Sequence, residues 1–368
     1  MNKPMLNRLV PGWVSWPRLD WPLLAGLLLV MGAGLLVLYS ASGEDLDEVM
    51  RQAMRMGVGL LALLTLSLIP PKLLRTWTPF LYAVGLGLLV ATWAMGEGKG
   101  ANRWLDLGVV RFQPSEIMKL ALPMTLAWFF HPRSLPPNLR MTLVAFILLT
   151  APAVLIARQP DLGTALLVGL SGAIVIFLAG LPWRWILGLL GAAVLAAPGL
   201  WMVMHEYQRN RVRTFLDPSS DPLGTGWNII QSKIAVGSGG WSGKGWLNGT
   251  QSRLEYIPER HTDFILAVLS EEFGLLGVAV LLLAYLFIIG RSLYIASLAK
   301  DTYSRLLAGS LAFTFSVYVV VNAGMVSGLL PVVGVPLPLI SYGGTSIVTL
   351  LAGFGMLMSV YGHRKFMR

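Results

Sequence analysis

Long apolar runs alternate with short polar segments along most of the chain. Ten runs approach the roughly 20 residues that a membrane-spanning helix needs, and helical periodicity in residues 49–56 extends the shortest of them. The runs lie at residues 22–41, 57–70, 77–95, 113–130, 142–157, 162–180, 183–204, 263–290, 305–329 and 342–361. This pattern predicts an all-α polytopic membrane protein of about ten transmembrane helices, in which residues 1–368 form a single integral-membrane domain.

Two segments depart from this pattern. Residues 205–262, between the seventh and eighth spans, are too long for an ordinary connection, and their aromatic and glycine residues predict an ordered outer loop lying on the membrane surface. Residues 329–346, before the tenth span, are apolar but rich in proline and glycine, so no regular helix is expected there. Because non-helical backbone at membrane depth must be buried in protein or line a cavity, we expect a broken or re-entrant element.

The basic residues of the short loops predict the orientation. An even number of spans places both termini on one side, and a cytoplasmic side then holds fourteen of the 28 Lys and Arg residues but only Asp20 and Asp301 among the acids. The fourteen are Lys3, Arg8, Arg18, Lys72, Arg75, Arg133, Arg140, Arg184, Arg291, Lys300, Arg305, Arg364, Lys365 and Arg368. The net charge of +10 is therefore a topology signal, and no nucleic-acid partner is expected.

The composition narrows the chemistry further. Hydrophobic residues make up 55% of the chain and charged residues 12%, against roughly 25% charged in soluble proteins. The absence of cysteine excludes disulfides, thiolate metal sites and cysteine nucleophiles. The four histidines are scattered along the chain, so a transition-metal centre is not expected.

Ionisable residues inside predicted spans mark internal pairing or function. Glu116 and Lys119 are three residues apart and share a helix face; they either form a neutralised pair that fixes packing, or line a polar cavity in which Lys119 faces an anionic ligand. Asp161 and Asp263 each precede a span, where an aspartate can simply cap a helix. Glu271 and Glu272 lie eight and nine residues beyond Asp263, where bonds to neighbouring helices would satisfy them without chemistry.

Cations gather on the predicted outer side, together with these carboxylates. They are Arg103, Arg111, Arg158, Arg209, Arg211, Arg213, Lys233, Lys244, Arg253 and Arg260. Each alone is explained by solvent or lipid headgroups. Together they suit a phosphorylated lipid, because cations bind phosphates while a carboxylate acts as acid or base.

Several motifs resemble the SEDS family (shape, elongation, division and sporulation), and the resemblance covers nearly the whole chain. They lie at residues 112–119, 210–218, 226–233, 243–245, 258–263 and 331–346, the last containing Ser341-Tyr342-Gly343-Gly344-Thr345-Ser346. Residues 332–336, Val-Val-Gly-Val-Pro, resemble the RodA branch more than the division branch, which tends to carry a lysine beside that glycine.

The resemblance implies a peptidoglycan glycosyltransferase that polymerises lipid II for cell elongation and rod shape. The family's essential outer aspartate falls on Asp263, its second aspartate on Asp161, and its intramembrane acid and lysine on Glu116 and Lys119. We therefore expect Asp263 to be the catalytic base and the other three to form a supporting polar cavity. Arg103, Arg211, Arg213 and Lys233 are the candidate ligands of the substrate phosphates.

The resemblance also implies a partner and a location. The partner is a class B penicillin-binding protein, a transpeptidase of the elongation machinery, and the substrates are lipid II and a glycan linked to undecaprenyl pyrophosphate. The chain would lie among lipids of the bacterial cytoplasmic (inner) membrane, with both termini cytoplasmic and the active site on the periplasmic face. A divalent cation, Mg²⁺ or Mn²⁺, is an optional cofactor. The alternatives are a flippase for lipid-linked precursors and a non-catalytic scaffold for wall synthesis.

Overall fold

The computed structural model describes residues 19–95, 104–106, 111–204, 206–220, 224–254 and 256–364. Within these ranges the chain forms helices α1 (Trp21–Ala41), α2 (Leu46–Leu68), α3 (Pro71–Met95), α4 (Pro114–Phe130), α5 (Leu139–Arg158), α6 (Leu162–Leu178), α7 (Trp183–Val203), α8 (Glu206–Leu216), α9 (Thr225–Ser238), α10 (Thr250–Arg253), α11 (Ile265–Ser297), α12 (Thr302–Val326) and α13 (Thr345–Gly362). Strands β1 (Leu105–Asp106) and β2 (Arg111–Phe112) form a two-stranded antiparallel hairpin. The hairpin is too short to alter the all-α class, which is confirmed.

Each of the ten predicted spans overlaps one of these helices, namely α1 to α7 and α11 to α13. Seven helices, α1, α2, α3, α5, α11, α12 and α13, are long and apolar enough to cross a membrane, and α6 is a shorter apolar helix. The protein is therefore a multi-pass membrane protein. The count of ten spans stays a prediction.

Short polar side chains start several of the helices. Asp20 accepts a hydrogen bond from Leu23 N at 3.0 Å at the start of α1. Asn138 and Asp301 accept from the third residue beyond them, each at 2.9 Å, at the starts of α5 and α12. Each of these caps satisfies an amide that has no partner within its own helix.

Two large hydrophobic clusters form the core. The first joins α1, α11 and α13, the second joins α4, α5 and α6, and α12 contributes to both. A small third cluster of Leu167, Tyr318 and Val335 connects α6 and α12 to the segment after α12. That segment, residues 327–344, is not helical and largely coincides with the predicted break at residues 329–346, whose last two residues belong to α13. The predicted outer loop contains α8, α9 and α10.

Helices α1 and α11 run antiparallel and define two ends of the bundle. Arg260, just ahead of α11, donates to the carbonyl of Ala41, the last residue of α1, at 2.7 Å. Arg291, near the far end of α11, binds Asp20, the cap of α1, at 2.7 Å. We call these the Asp263 end and the Asp20 end.

Candidate active site

Asp263 lies two residues before α11 begins at Ile265. The N-cap position of α11 is Phe264, and none of the described side chains accepts a capping hydrogen bond from this helix, so the interpretation of Asp263 as a helix cap is wrong. The backbone carbonyl of Asp263 accepts a hydrogen bond from Asn322 Nδ2 at 2.9 Å. The Asp263 backbone is thus attached to α12, and its carboxylate takes no part in helix capping.

The non-helical segment 327–344 packs directly against this turn. Asn322 also donates to the Val335 carbonyl at 2.7 Å, and Ser341 Oγ donates to the Thr262 carbonyl at 2.6 Å. These side chains supply the partners that a non-helical backbone lacks, which satisfies the requirement for such a backbone within a membrane protein. The segment is thereby fixed against the residues that carry Asp263.

Asp161 lies at the start of α6, which also touches this segment. It caps α6 through Thr164 N at 3.3 Å, and its Oδ2 accepts from Gln113 Nε2, also at 3.3 Å. A Cβ atom placed on Gly163 would lie 2.7 Å from the Val333 carbonyl oxygen, so the start of α6 touches the segment.

Asp263 approaches the residue that follows Val333. A Cβ atom placed on Gly334 would lie 3.5 Å from Asp263 Oδ2. The start of α6, which Asp161 caps, and the Asp263 carboxylate thus approach neighbouring residues of the segment, Val333 and Gly334.

The charge state of Asp263 follows from its surroundings. Burial and the negative charge of Glu259 raise the pKa of its carboxyl, the positive charge of Arg211 lowers it, and the net result is a pKa of about 6. Within the part of the chain that the structure describes, no group donates a hydrogen bond to this carboxylate. At neutral pH Asp263 is a mostly ionised carboxylate with a pKa close to that of an efficient general base.

Two of the four predicted phosphate ligands lie beside this turn and segment. Arg211, on α8, is close enough to lower the pKa of Asp263. Lys233, on α9, crosses Gly328 so closely that a Cβ atom there would overlap its side chain. Gly328 has φ +73°, a conformation that glycine adopts without strain. A cation is thus held over the start of segment 327–344.

The other two predicted phosphate ligands are not brought to Asp263 by any described contact. Arg213 is half exposed and pairs with Glu206, at 3.0 Å between Nη1 and Oε1. Its guanidinium also lies over the ring of Trp201, 5.9 Å from the centroid. Arg103 lies outside the described residues.

Glu116 and Lys119 form a buried ion pair on α4, with 2.6 Å between Oε1 and Nζ. The Lys119 ammonium also lies over the ring of Tyr318, 5.5 Å from the centroid. The pair lines a cavity of about 40 Å³ together with Thr314 of α12 and Ser346 of α13, which exceeds the roughly 10–15 Å³ that one water needs. Asp161 does not line this cavity. Glu116, Lys119 and Asp161 were expected to form one polar cavity. They instead form two neighbouring sites, the Glu116–Lys119 pair and Asp161, and Gln113 at the start of α4 connects them.

Comparison with known proteins decides the family. The sequence model of the FtsW/RodA/SpoVE family, described as cell cycle protein, matches residues 20–366. The chain belongs to the FtsW/RodA/SpoVE family. The peptidoglycan glycosyltransferase MrdB of Escherichia coli K12 is 52% identical over 356 residues, 95% of each chain. Stage V sporulation protein E of Bacillus subtilis 168 is 34% identical over 366 residues, 92% of this chain and 96% of that protein.

Solved structures of relatives share the fold. A chain of a peptidoglycan synthase complex, described for its coordination of polymerization and crosslinking, matches with a TM-score of 0.84 and 34% identity, over 95% of this chain and 99% of that chain. The rod shape determining protein RodA of Thermus thermophilus matches with a TM-score of 0.73 and 31% identity, over 95% of this chain and 98% of that chain. The resemblance to the family and to its RodA branch is confirmed.

Sequence reasoning missed three polar residues that build this site in the FtsW/RodA/SpoVE chain. Asn322 is fully buried in α12, and Gln52 is fully buried in α2, where its Nε2 donates to the Ser341 carbonyl at 3.0 Å. A search for charged residues does not find Asn322 and Gln52, because their side chains are uncharged amides. Treating uncharged amides inside apolar runs as equally informative would have found both. Glu259, which raises the pKa of Asp263, was visible only as part of a motif.

The described part of this family member offers few ligands for a divalent cation. No group of three or more His, Asp or Glu side chains is positioned to hold a metal ion there. Asp263 and Glu259 are near enough to interact electrostatically, which offers two carboxylates. We therefore derive no catalytic step through a metal, and Mg²⁺ or Mn²⁺ as an optional cofactor stays a prediction.

Proposed function

We propose that this chain is a peptidoglycan glycosyltransferase that polymerises lipid II into glycan strands for cell elongation and rod shape. The observation that carries the proposal is the carboxylate of Asp263. It is partly buried, accepts no hydrogen bond from the described residues, and lies near the cation Arg211. The name of the 52% identical MrdB protein gives the same reaction class.

The reaction is an inverting displacement. The 4-hydroxyl of the GlcNAc of lipid II attacks the anomeric carbon of the MurNAc that ends the growing glycan. A C–O bond forms there while the bond to undecaprenyl pyrophosphate breaks, and the pyrophosphate leaves with the electron pair. The hydroxyl proton passes to the Asp263 carboxylate, so that a single base suffices because the leaving group needs no strong acid.

Cations stabilise the departing pyrophosphate. Arg211 and Lys233 are the two whose positions beside the Asp263 turn and segment 327–344 suit this role. Arg213 and Arg103 are expected to bind substrate phosphates farther from the reacting carbon. Stabilisation of developing charge by fixed cations is often the largest contribution to such a reaction.

Three residues of α4 and of the start of α6 support the site, namely Glu116, Lys119 and Asp161. The Glu116 side chain is buried and lines the cavity, and none of the described residues donates a hydrogen bond to its Oε2. We assign Lys119 to an anionic group of the substrate, reached through that cavity, and Asp161 to holding the α4–α6 wall of the site.

The proposed topology follows from the bias of Lys and Arg residues towards one side of the membrane. With ten spans, both termini lie in the cytoplasm and the Asp263 end lies on the periplasmic face of the inner membrane. The lipid-linked sugars are joined on that face. A class B penicillin-binding protein is the partner, since one structural relative belongs to a peptidoglycan synthase complex that couples polymerization to crosslinking.

The test is polymerisation of labelled lipid II by the purified chain, alone and with a class B penicillin-binding protein. Parallel reactions contain chelator, Mg²⁺ or Mn²⁺. We expect glycan strands from the complex. Transfer of lipid II across liposomes without polymer would favour the flippase, and an intact complex that forms no polymer under any condition would favour the scaffold.

A further inference from the structure

Residues 239–251 cross α11 at residues 271–276 and are bonded to it along the backbone; we call this contact the clasp. The amides of Lys244 and Gly245 donate to the carbonyls of Glu271 and Glu272, at 3.0 and 2.9 Å. In the opposite direction, Leu275 N and Leu276 N donate to the carbonyls of Gly240 and Trp241, at 2.9 and 3.0 Å.

A break in α11 makes the clasp possible. Gly274 has φ +65° and ψ −162°, which is not helical. This break releases backbone groups on either side of it from the α-helical pattern, and buried backbone groups need partners. Gly243 lies so close to the Glu272 carbonyl that a Cβ atom there would overlap it. The clasp therefore depends on a local backbone shape that side chains would obstruct.

The carboxylate of Glu271 is fully buried at the centre of the clasp. Its Oε1 accepts from Lys244 Nζ at 2.7 Å, Thr250 Oγ1 at 2.9 Å and Gln251 N at 3.0 Å. A buried charge is tolerated only when it is paired and hydrogen-bonded. All three donors come from one segment, so the Glu271 carboxylate fixes that segment to α11.

The clasp is connected to the turn that carries Asp263. Arg260 Nη1 donates to the carbonyl of Ser252 at 2.8 Å, and Arg260 Nε donates to Ala41 at the end of α1 at 2.7 Å. Ser252 lies two residues after Thr250, whose hydroxyl donates to Glu271. The clasp, α10 and Arg260 thus form one chain of contacts that ends three residues before Asp263.

We infer that Glu271 is a positioning residue for the Asp263 carboxylate. It acts through Lys244, Thr250 and Gln251, which hold the segment that anchors Arg260. This inference rests on the proposed function, in which Asp263 is the base. Misplacement of a reacting group by about 1 Å can cost roughly 10²-fold in rate, so loss of this anchor should lower kcat more than it changes KM.

The experiment compares Glu271→Ala, Glu271→Gln and Thr250→Val in the complex with a class B penicillin-binding protein. We expect Glu271→Ala to lower kcat for lipid II about 10- to 100-fold with KM within about 3-fold, because a misplaced base slows the reaction more than binding. Glu271→Gln keeps an acceptor for Gln251 N and should recover most of the rate. Thr250→Val removes one donor and should fall between them, which keeps the test valid if Glu271→Ala does not fold.

Hydrogen exchange measured by mass spectrometry distinguishes a positioning role from a general loss of stability. Exchange at residues 244–263 should accelerate in Glu271→Ala while α12 and α13 keep their protection. Asp20→Asn is the matched control, because Asp20 is also fully buried and also pairs at 2.7 Å with a cation, but at the other end of the bundle. It should leave both kcat and this exchange unchanged.

The outcomes separate the two proposals. If the wild-type complex makes no polymer, the proposed function fails before Glu271 is tested. If the wild type polymerises, and both Glu271→Ala and Thr250→Val keep the wild-type kcat and exchange at residues 244–263, the positioning role is overturned. An equal kcat loss in Asp20→Asn would likewise overturn it, because the effect would then be one of stability.

Discussion

At one end of α11 the Asp263 carboxylate accepts no hydrogen bond from the described residues, whereas at the other end Arg291 donates three to Asp20. Asp20 is the more deeply buried of the two, with no exposed surface. Its desolvation is offset by the guanidinium and by its role as the cap of α1. The desolvation of Asp263 is offset only in part, by Arg211, and its pKa rises to about 6.

This contrast between Asp263 and Asp20 distinguishes functional from structural acids in a membrane protein. A buried acid with a complete set of donors is explained by packing, as Asp20 and Glu271 are. An acid that keeps an unsatisfied carboxylate costs stability. Retention of such an acid beside cations is typical of a reactive site. Four predictions test this distinction, ordered by the size of the expected effect.

Among these four, the largest effect is expected for the pair on α4. The double variant Glu116→Gln/Lys119→Met removes both charges together, and replacing a buried ion pair by groups of similar volume is often neutral for stability. We expect the melting temperature to change by only a few degrees and lipid II polymerisation to fall by about 10²-fold, as for loss of a fixed charge in a reaction. A rate within about threefold of wild type would show that the pair only fixes helix packing.

Gly328→Ala should have the next largest effect. Its φ of +73° disfavours any side chain, and a Cβ atom would displace Lys233. We expect a loss of about 1–2 kcal/mol in stability and a polymerisation rate lower by roughly tenfold, about the effect of 1.4 kcal/mol on a barrier. Gly87→Ala is the control, because no atom of the described residues lies within 4 Å of a Cβ atom there. An unchanged rate in Gly328→Ala would remove Lys233 from the site.

Asp20→Asn should affect stability alone. The variant keeps the acceptor for the α1 cap but loses the charge that faces Arg291, and a hydrogen bond to a charged group contributes about 1.5–3 kcal/mol. Thermal unfolding in detergent should show the loss, while the polymerisation rate per folded molecule stays at the wild-type value. A fall in that rate would contradict the separation of the two ends.

The smallest effect is the pH dependence of stability at Asp263. The folded-state pKa of about 6 lies above the ordinary 3.8, so the folded protein binds more protons between these values. The contribution of Asp263 to stability therefore falls as pH rises through that window. Asp263→Asn should melt at or above the wild-type temperature at pH 7.5, with a smaller difference at pH 5. A lower melting temperature at pH 7.5 would mean that the carboxylate is structural.

Much of the fold could be predicted from the sequence because apolar runs and their breaks are local signals. Residues 329–344 are a clear case, since their prolines and glycines disfavour a helix and none forms there. The break at Gly274 could not be predicted, because one glycine inside an apolar run is compatible with an unbroken helix. It exists because residues 239–251 supply the partners of the released backbone groups, and that contact joins distant parts of the chain.

The site could be predicted only as a set of residue types. Glu116 and Lys119 are three residues apart, so their pairing follows from helix geometry. The same reasoning treated Arg211 and Arg213 alike, yet only Arg211 influences Asp263, whereas Arg213 pairs with Glu206. Which arginine faces the carboxylate depends on how α8 packs, and no local pattern records that.

The most direct test of the account is the rate of lipid II polymerisation by Asp263→Asn, compared with Asp20→Asn, each purified in complex with a class B penicillin-binding protein. Loss of a general base costs about 10²- to 10⁴-fold. The account predicts a loss of that size in Asp263→Asn with the complex intact, and the wild-type rate per folded molecule in Asp20→Asn. Polymerisation by Asp263→Asn at the wild-type rate would contradict it.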